Sequence, residues 1–287
     1  MDSIRFGPSG NSIEFYEQGY LHTTQAPQWL AQQGLTAYEY SFGRGINLSD
    51  DTALSIGRQA QEHGVQVSVH APYYVNFANT QDENIDKSIN YILTSARKLV
   101  KLGGNRVVFH ASTVGKLDRS HAVTLTRERL LKLTEAIYNE GLDNLYFCPE
   151  TMGKFNQIGS LEEVVDFCKI DKIYIPTIDF GHLYARTLGA VNNEQDYKDI
   201  LDYISAELGE DKCSKLHIHF SKIEYGKSGE IRHLTLDNVQ FGPDFTPLAK
   251  LLAQRKLSPV VISESAGTQS QDARTMMRIY QEYIHKE

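Results

Sequence analysis

The chain has 287 residues, 41% hydrophobic and 23% charged, globular proportions that exclude a low-complexity chain and suffice for one large core. A formal net charge of −7 excludes a broadly basic surface, so any nucleic-acid binding must come from a local site. Cys148, Cys168 and Cys213 are scattered and form no C-x-x-C pair, so they read as reduced, buried thiols of a cytosolic protein.

Strand candidates follow in chain order: "IRF" (4–6), "TAYEY" (36–40), "VQVSVH" (65–70), "RVVFH" (106–110), "NLYFCPE" (144–150), "KIYIPTID" (172–179), "SKLHIHF" (214–220) and "PVVISE" (259–264). Amphipathic stretches separate them. In 82–101 the residues Ile85, Ile89, Ile92, Leu93, Ala96, Leu99 and Val100 recur at helical spacing. Thr80 and Glu83 are spaced as a capping box at its start, and Gly103-Gly104 ends it. Residues 119–139 and 270–285 read as helices too. Eight βα units imply a parallel sheet, and this length favours its closure into a single (β/α)8 barrel domain over 1–287. The opening "MDSIRFGPSG" has no apolar leader, and no run approaches the roughly 18 apolar residues of a membrane span. A cytoplasmic protein without membrane contact is expected. With neither G-x-G-x-x-G nor a P-loop, no nucleotide cofactor is expected.

The strand ends carry the chemistry. The third to sixth strands end on His70, His110, Glu150 and Asp179; the seventh carries His217 near its end, and the eighth ends on Glu264. In a barrel these positions converge on the C-terminal rim, where such folds place their sites. His182 follows Asp179 in "DFGH", and His233 follows the polar loop "KIEYGKSGEIRH". His219, two residues beyond His217, shares its face of the strand. A lone histidine at a strand end is usually a hydrogen-bonded rim residue, and His22, His63, His121 and His285 are read as surface residues. Six successive strands with the same habit are harder to attribute to chance. Glu150, Asp179 and Glu264 brought together would repel one another unless cations lay between them. The candidates are too many for one ion and fit two or three. Five imidazoles favour zinc ahead of manganese or iron, and clustered divalent ions suit in-line displacement at phosphorus.

As a set, "VHAPYYVNFAN", "FHAS", "ETMGKFNQIG", "DFGH", "HIHFSK", "RH" and "SE" resemble endonuclease IV, the zinc-dependent apurinic/apyrimidinic endonucleases built on a TIM barrel. The match runs nearly the whole chain in family order. The resemblance implies hydrolysis of the DNA backbone 5′ to abasic sites in base excision repair, on damaged double-stranded DNA, by a monomer. It implies that His70, His110 and Glu150 hold a first ion and that Glu150, the central catalytic residue, bridges to a second held with Asp179, His217 and Glu264. His182 and His233 would hold a third. Tyr73 and Tyr74, helped by Arg44, would enter the duplex to expose the damaged nucleotide. Lys116, Lys154, Lys222, Lys227 and Arg232 follow strands four, five or seven and are candidates for phosphate contact.

Two departures stand out. Where the family usually has an aspartate two residues before its last histidine, this chain has Ile231, with Glu230 one residue earlier; either Glu230 takes over after a one-residue shift, or the third site is weak or empty. Gly7 and Pro8 stand where many members have a histidine near DNA. The rival reading on the same barrel is a divalent-metal sugar or sugar-phosphate isomerase or epimerase, with fewer ions, more carboxylates and a proton-transferring group.

Overall fold

The computed structural model describes residues 3–284; His285, the expected end of the last helix, lies outside them. Eight parallel strands form the barrel: β1 Arg5–Pro8, β2 Ala37–Ser41, β3 Gln66–His70, β4 Arg106–Phe109, β5 Tyr146–Pro149, β6 Thr177–Asp179, β7 His217–Phe220 and β8 Val260–Ser263. They pair in two runs, β2-β3-β4-β5 and β6-β7-β8-β1. Backbone bonds close both seams. Thr36 N donates to Phe6 O at 3.0 Å and Gly10 N to Glu39 O at 2.9 Å between β1 and β2. Phe147 N donates to Ile173 O at 2.9 Å and Thr151 N to Thr177 O at 3.0 Å between β5 and β6. Gly7 is required at the first seam, since a Cβ there would sit 1.8 Å from Ala37 O. A glycine is therefore needed for barrel closure at this position.

The main core lies between strands and helices, where Val67, Val69, Phe109, Phe147 and Ile218 meet residues such as Ile92 and Leu99 of the helix Asp82–Lys101. That helix matches its predicted span, although Val100 turns outward. Its N-cap is Gln81 without a side-chain bond, so the expected Thr80–Glu83 capping box does not form. Gly103, at φ 69°, supplies the left-handed residue just past its C-terminus. The helices Arg119–Asn139 and Gln269–Ile284 also lie where periodicity places them. All three cysteines are buried free thiols. Among the described residues no helix is long and apolar enough to cross a membrane.

Two strand pairs lie outside the barrel. Ser112–Thr113 pairs with Gln157–Ile158, tying the loop after β4 to that after β5. A larger hairpin, Lys222–Gly226 with Gly229–Leu234, follows β7 and overhangs the rim. Its backbone docks on the loop after β5, where Glu230 N donates to Gly153 O at 3.2 Å.

Candidate metal centre

Every strand from β3 to β8 brings an ionisable side chain to one rim. His70 closes β3, His110 and Glu150 follow β4 and β5, Asp179 closes β6, and Glu264 follows β8. Asp179 also caps the helix Phe180–Arg186, accepting from His182 N at 2.7 Å, so the "DFGH" turn places Asp179 and His182 together. Glu150 is the hub and is fully buried. Its Oε2 lies 3.1 Å from Nε2 of both His70 and His110, and its Oε1 lies 3.2 Å from Nδ1 of both His182 and His219.

Four groups of converging ligand atoms result: His70 with His110 and Glu150; Glu150 with Asp179, His219 and Glu264; His182 with Glu230 and His233; and, deeper in the barrel, Glu39 with His217 and His219. The second group corrects one expectation. His219, and not His217, joins Glu150, Asp179 and Glu264. The pleat turns both histidines into the barrel, and ladder register sets their depth: His219 lies opposite Asp179, whereas His217 lies opposite Thr177. His217 is buried against Glu39, with its Nε2 2.9 Å from Glu39 Oε2. Glu39, inside β2, went unnoticed in the sequence; its signal is an acid sharing the inward face of that strand with Ala37.

The third group settles where Glu230 points. The hairpin ladder pairs Ile223 with His233 and Glu224 with Arg232, then jumps to Tyr225 with Glu230, so Ile231 is an extra, bulged residue. The bulge returns Glu230 to the face of His233 and leaves Ile231 54% exposed. Glu230 Oε2 stands 3.3 Å from His182 Nε2. Gly153 makes room, since a Cβ there would lie 2.7 Å from Glu230 Cβ and 3.0 Å from His182 Cδ2.

The electrostatics suit cations. Burial opposes charge on Glu150, but His219 and His110 hold its carboxyl well below the usual range. Burial would lower His182 and His219, yet the carboxylates around them hold both well above the usual imidazole value. Burial pushes Asp179 up, and Glu264 and Glu150 add to this. Asp179 Oδ2 is also buried, 3.3 Å from His182 Nδ1 but without a hydrogen bond among the described residues. A buried carboxylate oxygen without a hydrogen bond, beside two further carboxylates, fits a divalent cation at this position. His110 is pushed down by burial, which favours the neutral ring a metal requires. Burial also pushes His217 down, to about 4.

A cavity of about 580 Å³ opens over these groups, with Ser9, Ser41, Tyr73, Lys154, Gln157 and Gln269 among its walls. Tyr73 stacks on His110 with ring centroids 5.6 Å apart and so forms a wall. Tyr74 is exposed and leans toward Tyr91. Arg44 is exposed on the loop after β2, which is tied to the tyrosine loop by Tyr73 N donating to Gly43 O at 3.1 Å. Of the five basic candidates Lys154 lines the cavity; Lys222 donates to Asn238 O, and Arg232 pairs with Glu224 at 2.7 Å. Lys116 and Lys227 are exposed outside that lining. Gly7 is taken up by barrel closure.

Comparison with known proteins follows the same lines. An uncharacterized protein of Methanocaldococcus jannaschii is 34% identical over 284 residues, 96% of this chain and 97% of its own. A probable endonuclease 4 of Staphylococcus aureus is 25% identical over 246 residues, 81% of this chain and 74% of its own. Endonuclease IV from Thermus thermophilus superposes with a TM-score of 0.70 at 17% identity, covering 99% of this chain and 100% of that one. A D-tagatose 3-epimerase-like protein superposes with a TM-score of 0.71 at 18% identity, covering 99% of each chain. At such identities the superpositions carry the fold and leave the reaction open. The pattern of the xylose isomerase-like TIM barrel matches residues 27–283, and the chain is a member of that family.

Proposed function

We propose that this protein is a zinc-dependent phosphodiesterase that incises duplex DNA 5′ to abasic sites, as endonuclease IV does. The observation that carries the reading is three of the ligand groups at the rim, two of them sharing Glu150, with Glu230 brought to the third by the bulge at Ile231. Bound divalent ions would activate water and neutralise charge on the phosphate. His70 and His110 grip one side of Glu150, and Asp179, His219 and Glu264 the other. His182, Glu230 and His233 complete the set beneath the hairpin. Lys154, at the cavity wall, meets a phosphate oxygen. Tyr73 offers the face of its ring to a deoxyribose that lacks a base, while Tyr74 and Arg44 brace the flanking duplex from the rim. Five imidazoles among the ligands favour zinc, and the protein is proposed to act as a cytoplasmic monomer.

A second reading has one observation in its favour. Taken alone, Glu150, Asp179, His219 and Glu264 offer three carboxylates and one imidazole, a set suited to a single ion in a sugar epimerase. The histidine-rich groups on either side have no task in that reaction. The deciding experiment incubates zinc-loaded and chelator-stripped protein with a duplex carrying one synthetic abasic site. Zinc-dependent incision 5′ to the site, abolished in Glu150→Gln, is expected. Folded, zinc-loaded protein that leaves the duplex intact would refute the assignment and send the site to sugars and sugar phosphates.

A further inference from the structure

Beneath the ligand groups, Glu39 is wholly enclosed by the barrel. Its Oε2 accepts from Ser68 Oγ at 2.8 Å and lies 2.9 Å from His217 Nε2. Its Oε1 lies 2.9 Å from His219 Nε2. The opposite nitrogen of His219, Nδ1, stands 3.2 Å from Glu150 Oε1 and 3.6 Å from Glu264 Oε2. His70 is turned the other way, with Nδ1 2.8 Å from Ala71 O and Nε2 toward Glu150. His182 has Nδ1 2.9 Å from Thr151 O and 3.2 Å from Glu150 Oε1, with Nε2 toward Glu230. His233 has Nδ1 2.8 Å from Ser221 Oγ.

We propose that Glu39 is a positioning residue, whose carboxylate holds the Nε2 side of His219 so that its Nδ1 is presented to the ion shared with Glu150, Asp179 and Glu264. The proposal rests on the metal-centre reading above. An imidazole between a carboxylate and a metal is fixed in both tautomer and orientation, and its basicity toward the metal rises. Ser68 and His217 occupy Oε2 and leave Oε1 free to face His219. A carboxylate serving only as a counter-charge for His217 would have no need of that second contact. A buried charge is costly unless partnered; Oε2 is held by hydrogen bonds, while Oε1 and His219 Nε2 meet at ion-pair distance without a hydrogen bond among the described residues.

Two measurements on the full chain test this. In the zinc-loaded protein with ¹⁵N-labelled histidine, long-range ¹H–¹⁵N spectra should show one coordinated imidazole bound through Nδ1 with a protonated Nε2, assigned to His219 by its loss in His219→Asn. Coordination of His219 through Nε2 would overturn the proposal, and this readout requires no variant of Glu39. Zinc titration against a competing chelator should then show one equivalent weakened about 10–100-fold in Glu39→Gln with the others unchanged. Unchanged affinity for every equivalent in folded Glu39→Gln would overturn the positioning role alone. A further equivalent bound by the wild type and lost in Glu39→Gln would also overturn it, by making Glu39 itself a ligand. Wild-type protein that binds no zinc would instead overturn the metal-centre reading, and this proposal with it.

Discussion

Glu230 and His233 face the same side of their strand although they lie an odd number of positions apart, because Ile231 is extruded between them. A regular strand would have put Ile231 and His233 together and sent Glu230 to the other face. The bulge therefore converts what looks like a lost ligand into a shifted one. Glu230→Ala should release one metal equivalent per chain and leave the other two, whereas Ile231→Asp should leave metal content unchanged. Metal analysis after dialysis decides this; loss of metal from Ile231→Asp, or none from Glu230→Ala, would show that the bulge has been misread.

The two histidines of β7 should separate in the same way. His219→Asn removes a proposed ligand atom and should weaken one metal equivalent by more than the roughly 10–100-fold typical of an outer partner. His217→Asn, one pleat deeper, should lower thermal stability before it lowers metal content. The reverse order, read from parallel melting and metal titrations, would restore His217 as the ligand.

Stability away from the centre should carry a defined pH dependence at Glu163. Its carboxylate accepts from Arg119 Nε and Nη2 at 2.8 and 2.7 Å, and from Gly159 N and Ser160 N at 2.8 Å each. Burial opposes its charge, but Arg119 and the two amides win and hold it below the ordinary 4.5. A depressed folded value means that its stabilisation is complete above 4.5 and is lost as pH falls through the folded value. Glu163→Gln should cost about 2 kcal/mol at pH 7, with the difference closing in acid. Denaturant titrations at pH 7 and below pH 4 check this, and a gap that stays constant would argue against it.

Gly7→Ala should fail at the level of the barrel. The added methyl would meet Ala37 O at 1.8 Å, and the seam offers backbone in place of a yielding side chain. A loss of about 3 kcal/mol or more, or no folded protein, is expected. A melting temperature within a few degrees of wild type would show that the seam can open.

Much of this architecture was legible because it depends on local pattern. The strands advertise themselves as apolar runs, and the polar residue that ends β3 and β6 or directly follows β4 and β5 is where the rim begins. What was not legible depends on pairing. The depth of His217 against His219 is set by the register of β6 with β7, which no single strand contains. The bulge at Ile231 exists only relative to Lys222–Gly226, a strand whose polar sequence has the composition of a loop. Glu39 hid between Tyr38 and Tyr40, where alternation alone makes a polar residue look solvent-facing; in a closed barrel that face is the interior. Thr80 fits the capping spacing, but the helix starts one residue later than the cap requires.

The most direct test of the three-group centre is the zinc content of the purified, zinc-equilibrated chain, measured by elemental analysis against protein concentration. Three ions per chain are expected. A single ion would contradict the three-group centre.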